Sequence, residues 1–220
     1  MKLVRKDHQC ISNFNTWAKS KRLSNWDRDF SGPFAPFHDA YLKVREYILN
    51  IEQEGLSAYT EKPISRNPHI DHFRKKGMFQ KLTFDYTNFL VDERNDYYGA
   101  CFKDNHAGVD KSTYDVIFDP TKDDLSQFVI YNLNGKMLPK KNIGDRWEAR
   151  VEETIRVFNL NAGQLMALRR QVIDTIKAIK GQLSDESIRQ AVKAGGFPSV
   201  VEWVLSLPPE TDSISTSDAI

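Results

Sequence analysis

Apolar residues recur at helical spacing in two parts of the chain, and at strand spacing only in short runs between them. Across 37–54, Tyr41, Val44, Ile48 and Ile51 fall three and four apart, which predicts one amphipathic helix ended by Gly55. In the last third, Val151, Ile155 and Phe158 begin one stripe, and Leu165, Leu168, Val172, Ile176 and Ile179 continue a longer one. Ser184 suits an N-cap, Gly195-Gly196 a stop, and Pro198 the first turn of a short helix that carries Trp203 over 200–205. The middle reads as short strands and loops. The run FVIYNLNGKMLPK suits a hairpin with Asn134-Gly135 as its turn, and Val116-Ile117-Phe118 a short extended piece. The first stretch, to about Pro36, shows no clean period. There Trp17, Leu23, Trp26, Phe30 and Phe34 are expected to pack it onto the rest.

These patterns predict an α+β protein, predominantly helical, in four parts. They are an N-terminal helical segment over 1–55, a strand-and-loop centre with the hairpin over 56–141, a helical region over 142–207, and a polar tail over 208–220 expected to be disordered. No internal repeat interrupts that order.

Composition narrows the class. Hydrophobic residues make up 40% and charged residues 28% of the 220, with thirteen Phe, so a core can be built and disorder is a poor reading for most of the chain. Net charge is +1, from 31 Lys and Arg against 30 Asp and Glu, so a basic excess can only be local, as in Arg74-Lys75-Lys76. The two cysteines, Cys10 and Cys101, form no CxxC pair, which excludes a cysteine zinc ribbon and suits a reducing compartment. No apolar run approaches the roughly 20 residues of a membrane span, and MKLVRKDHQC has no apolar signal-peptide core. A cytoplasmic protein without a membrane partner is expected.

The richest chemistry lies between His69 and His106, which holds three of the five histidines: His69, His72 and His106. Hydrolysis of a phosphodiester needs an activated water and a cation against the charge that builds on phosphate oxygens. A neutral imidazole takes a proton from water near neutral pH, and a carboxylate beside it holds a hard cation. Asp71-His72 in an extended segment offers both within one stretch. The plainer reading is that two histidines within four residues arise often by chance. In that reading the basic run is a solvated turn, Asn88 bridges a turn, and Cys101 is a small buried residue.

The segment resembles the HNH endonuclease motif, in which an Asp-His pair leaves a first strand, an Asn sits in a second, and a third polar ligand lies on a helix. HIDHFRKK followed by TFDYTNFL is similar to the "HIxHFRPK … WxNL" pattern of the branch that includes the PtuB-like effectors of Septu and retron anti-phage systems. The order IFDPT, NGKMLPK, TIRVFNLN, LMALRR and the opening MKLVRKD resemble the same proteins, so the likeness covers most of the chain. It implies a small ββα-metal core, His72 as general base, Asp71 as a metal ligand and Asn88 as the residue orienting the base. It also implies a divalent ion, magnesium or manganese, and a nucleic acid substrate, DNA or RNA, whose phosphates Arg74, Lys75 and Lys76 would contact.

Two departures stand out. Where relatives carry a cysteine pair, this chain reads Ser57-Ala58-Tyr59-Thr60; where they read "CNxxK", it reads Gly99-Ala100-Cys101-Phe102-Lys103. The usual third ligand falls on Ala100, so Asp104 is the substitute, with Asn95 and His106 as alternates. The resemblance also implies partners: a PtuA-like ABC-type ATPase and, in retron assemblies, a reverse transcriptase with its RNA–DNA product. The chain has no Walker-type phosphate loop of its own. Nearly neutral charge and one short basic run further suggest a subunit that is weakly active alone. The region around Trp203 is either a docking surface or ordinary packing. The competing function is a catalytically degenerate HNH-scaffold adaptor that bridges other defence subunits, for which Ala100 is the argument; more remote is an unrelated binding module with an accidental His cluster.

Overall fold

The computed structural model describes residues 1–208, and the tail expected to be disordered lies outside them except for Pro208. The fold is mixed helix and small antiparallel sheets, an α+β architecture. The aperiodic first stretch contains a helix that spacing alone does not reveal, α1 (His8–Ser20). Asp7 caps it by accepting the Gln9 and Cys10 amides, and Phe14 and Ala18 are its buried face. A five-residue π turn over Asp27–Ser31 leads to α2 (His38–Tyr47), which runs on into a second π turn, Ile48–Glu52. The expected helix over 37–54 is thus present, with its last turn widened.

The centre is organised by β1 (Pro68–His72) and β2 (Phe89–Glu93), paired antiparallel with Ile70 opposite Val91, Asp71 opposite Leu90 and His72 opposite Phe89. Asn88 falls just outside β2, as the last residue of a 3-10 turn over Tyr86–Asn88 started by Asp85. Side chains alternate across such a pair. Ile70, Phe89 and Val91 therefore join the N-terminal aromatics Phe14, Trp26, Phe30 and Tyr41 in one core. Leu90 joins a larger core with Tyr59, Phe73, Phe118, Phe158 and the C-terminal helices. The hairpin is the wall between two cores.

Beyond β2 the chain enters α3 (Gly99–Asn105) through Gly99 at φ +73°. A Cβ there would lie 2.3 Å from the Asp92 carboxylate, so only glycine lets the helix start against β2. Residues 116–118, expected to be extended, instead finish the short helix α4 (Thr113–Val116) and continue as irregular backbone. There the Phe118 amide is taken by the Thr154 hydroxyl rather than by a strand. The second hairpin forms as expected from β3 (Val129–Tyr131) and β4 (Met137–Pro139). Its connection is five residues, because Asn132 accepts the amides of Asn134 and Lys136 and so widens the turn around Gly135.

The last third matches its periodicity: α5 (Asp145–Phe158), α6 (Gly163–Ile179), α7 (Asp185–Val192) capped by Ser184, and α8 (Pro198–Ser206) opened by Pro198. Trp203 packs edge-on against Tyr131, 5.8 Å between ring centres, so this part of its surface belongs to the fold. No helix among the described residues is long and apolar enough to cross a membrane.

Candidate active site

β1 ends in Asp71-His72, and strand alternation sends the two side chains to opposite faces of the hairpin. His72 enters the N-terminal core, only 6% exposed. Its ring meets Trp26 edge-on at 4.4 Å and Phe89 at 5.3 Å. Nε2 lies 2.9 Å from the Thr83 carbonyl oxygen. A carbonyl only accepts, so Nε2 carries the proton and the lone pair sits on Nδ1, which has no hydrogen-bond partner among the described residues. Burial holds this imidazole at about 4 against an ordinary 6.5, outweighing the upward pull of the Thr83 hydrogen bond and of Asp71. The ring is therefore neutral at physiological pH.

Asp71 faces α3 and is 4% exposed. Its Oδ2 accepts from the Tyr59 hydroxyl and, at 3.0 Å, from the Lys103 ammonium. Lys103 is wholly buried; it also donates to the His72 and Phe73 carbonyls at 2.9 and 3.0 Å, and lies 3.3 Å from Asp104 Oδ1. Burial alone would push Asp71 up, but Lys103 and the Tyr59 hydroxyl outweigh it and hold the carboxyl below its ordinary value. Burial opposes the charge of Lys103 too, yet Asp71 and Asp104 raise it. Asp104 itself is raised, first by burial and then by the charge of Asp71. Two mutually repelling carboxylates share one ammonium.

Asn88 works on the loop that joins the strands. Its Oδ1 accepts the Arg74 amide at 2.8 Å, and its Nδ2 donates to the Arg74 carbonyl at 3.0 Å and, more weakly, to that of Leu82 at 3.4 Å. His72 docks on the very next carbonyl, that of Thr83. Asn88 and His72 are thus tied to neighbouring points of one turn, while Asp71 stands on the other side of the strand.

The basic run is engaged within the protein. Arg74 bonds the Tyr114 carbonyl and pairs with Asp115, Lys75 donates to the Asp104 carbonyl at 2.6 Å, and Lys76 pairs with Asp27 at 3.0 Å. The alternates to Asp104 lie elsewhere: Asn95 caps the Tyr97 amide, and His106 is exposed beside Phe102. Cys101 is half-buried rather than fully enclosed.

Magnesium takes one or two carboxylates and completes its shell with water and phosphate. Asp71 and Asp104 form such a pair, close enough that a single cation, the Lys103 ammonium, reaches both, and Asp104 Oδ1 is buried without a hydrogen bond. The donor set fits the ion in kind. Among the described residues no group of three or more His, Cys, Asp and Glu could hold a metal, so the rest of the shell would fall to water and substrate. No protein-family model and no curated protein matches this chain.

Tyr59, Lys103 and Asp92 are the neighbours of the candidate site that sequence reasoning missed. Lys103 had a signal, since it occupies the lysine of the "CNxxK" pattern; Tyr59, twelve residues before Asp71 on a separate loop, had none. Asp92 is buried on the Asp71 face, accepting the Ala100 amide at 2.8 Å through Oδ2 while Oδ1 goes unpaired. Burial, with a smaller part from Asp71, raises its carboxyl from 3.8 to about 7. A carboxyl raised on folding contributes stability that is full below its unfolded value and lost as pH rises through the folded one. Asp92→Asn has no such dependence, whereas His72 is common to both proteins and cancels in the comparison. From pH 5 to pH 8 the variant should therefore gain about 3 kcal/mol relative to the native chain. Paired denaturant titrations at the two pH values measure this, and a constant difference would show that Asp92 is ionised throughout.

Proposed function

We propose that this chain is a metal-dependent nuclease of the HNH type that hydrolyses phosphodiester bonds in nucleic acid, and that it serves as an effector subunit of an anti-phage defence complex. The observation that carries the reading is the order β1–β2–α3, with Asp71-His72 where β1 enters the connecting loop and Asn88 clamping that loop at its far end. In this reading His72 takes the proton of the attacking water at Nδ1, while Thr83 fixes the ring through Nε2. Asn88 holds the backbone at Arg74, and so the geometry of the base two residues earlier, as a positioning residue. Asp71 and Asp104 would hold the ion, whose chemistry is to stabilise charge on the phosphate oxygens. Lys103 keeps Asp71 ionised and in place. The sequence resemblance extends the proposal to a PtuA-like ABC-type ATPase and, in a retron assembly, a reverse transcriptase with its RNA–DNA product.

One observation favours a second reading. The space between Asp71 and Asp104 is already served by an ammonium, and Ala100 offers no ligand. A cation built into the chain suits an HNH-like scaffold that has given up chemistry and bridges other subunits.

Manganese binding separates the two. Titration followed by electron paramagnetic resonance, with a labelled oligonucleotide present, should show the ion bound by the native protein and lost in Asp71→Asn and Asp104→Ala. Cleavage of labelled DNA or RNA should require the same ion and stop with a chelator. Binding of nucleic acid without manganese uptake or cleavage, in the native chain with and without its partners, would leave the adaptor.

A further inference from the structure

We propose that the cleft between the N-terminal segment and the β1–β2 loop is the seat of one nucleotide of a single strand, gripped through its flanking phosphates by Lys19 and Lys81. This rests on the nuclease reading and gives that site its substrate class.

The cleft has a volume of about 710 Å³. That lies within the range of sites that enclose a small molecule, whereas a duplex is read by an element entering its groove. One wall is the end of α1 and the turn that follows it; the other is the loop from Lys76 to Asp85. The cleft shares residues with the candidate base. Trp26, which lines it, lies against the His72 ring, and the carbonyl of Thr83, which also lines it, accepts a hydrogen bond from His72 Nε2. A group in the cleft is one side chain away from the imidazole.

Charge on the walls is divided unevenly. Asp27 is paired with Lys76, and Asp85 accepts from Asn15 and from the Thr87 amide and hydroxyl through one oxygen, Oδ1, and keeps its charge, so three lysines face two aspartates across the lining. Lys19 and Lys81 are exposed, come from opposite walls, and have no ion pair or hydrogen bond through their ammonium groups among the described residues. Arg74 and Lys75 are turned to the Tyr114 and Asp104 carbonyls and Lys76 is in an exposed pair with Asp27, so Lys19 and Lys81 are the cleft lysines with no partner to give up for phosphate. The Gln80 amide, likewise without a partner, stands beside Lys81 for a base edge. Phe84, only partly buried, gives the cleft an aromatic surface on which a base can stack, and the buried Trp26 backs it with ring centres 5.6 Å apart. Two lysines and an aromatic lining are the combination that holds single strands with little regard to sequence.

The test is binding by the full chain in chelator, so that neither metal nor cleavage takes part. The probe is a fluorescein-labelled single-stranded oligonucleotide, read by anisotropy across a salt series. Removing two phosphate contacts lowers the slope of log K against log salt by about 1.4 on a single strand, which is about 25-fold in affinity at 0.1 M salt. Lys19→Ala with Lys81→Ala should show both changes, while Lys136→Ala with Lys193→Ala, on exposed positions of other elements, should show neither. Equal loss in the control pair, or an unchanged slope in the cleft pair, overturns the assignment. So does a preference for duplex, or competition by a free nucleoside monophosphate at the oligonucleotide's own affinity, which would make the occupant a free nucleotide. If the strand binds as described and the native chain never cleaves, the nuclease reading fails and the cleft stands.

Discussion

His72→Gln is expected, on the proposed nuclease reading, to lower phosphodiester cleavage by about 10²–10⁴-fold, the usual cost of losing a general base. Glutamine is chosen over alanine because His72 is buried against Trp26 and Phe89, where truncation would leave a cavity and confuse folding with chemistry. The glutamine amide can still donate to the Thr83 carbonyl but offers no basic nitrogen. Single-turnover cleavage with saturating manganese reads the chemical step, and an unaltered thermal melt shows that the fold is kept. Cleavage at the native rate in a folded His72→Gln protein would remove His72 from the reaction.

The larger effect on stability belongs to Lys103→Met. The substitution keeps the length of the side chain but leaves Asp71 buried beside Asp104 without its cation. Breaking one side of a buried pair costs about 3–5 kcal/mol, a drop in Tm of roughly 10 °C for a chain of this size. Replacing both partners by neutral groups is often close to harmless, so Asp71→Asn in the same chain should restore most of the loss. Denaturant unfolding of the single and double variants measures the coupling. A loss below about 1 kcal/mol in Lys103→Met would mean that Asp71 is not held by this lysine.

The helices of the last third were legible because each buries one stripe, and period carries that information directly. Helix α1 was not, since Trp17, Asn13 and Asn15 blur its stripe and its one clear sign is the Asp7 cap. At the candidate site, sequence adjacency picked out Asp71 and His72 but not their division between two cores. That division follows from the period of two in a strand, yet it becomes visible only once β2 fixes which face meets which core. The basic run was legible as charge and illegible as pairing: Asp27, Asp115 and Asp104 reach it from other parts of the chain. Lys19 and Lys81 are far apart in sequence and share no motif; only the cleft brings them to one purpose.

The Asn88 clamp gives the loop it closes an unusual freedom of length. Because one amide binds both the N–H and the carbonyl of Arg74, the neck between Arg74 and Asn88 is fixed whatever the chain does in between. Lengthening a flexible loop is inexpensive once its ends are held, about 0.6 kcal/mol for each doubling. Met78 and Phe79 pack on the larger core and Gln80–Leu82 form a 3-10 turn, so that freedom is concentrated at the open tip, Gly77, where residues can be added while His72 keeps its station at the root. Since Gly77 also lines the cleft, the width of that cleft is open to change by insertion at one point, apart from the Thr83 carbonyl that holds the His72 ring.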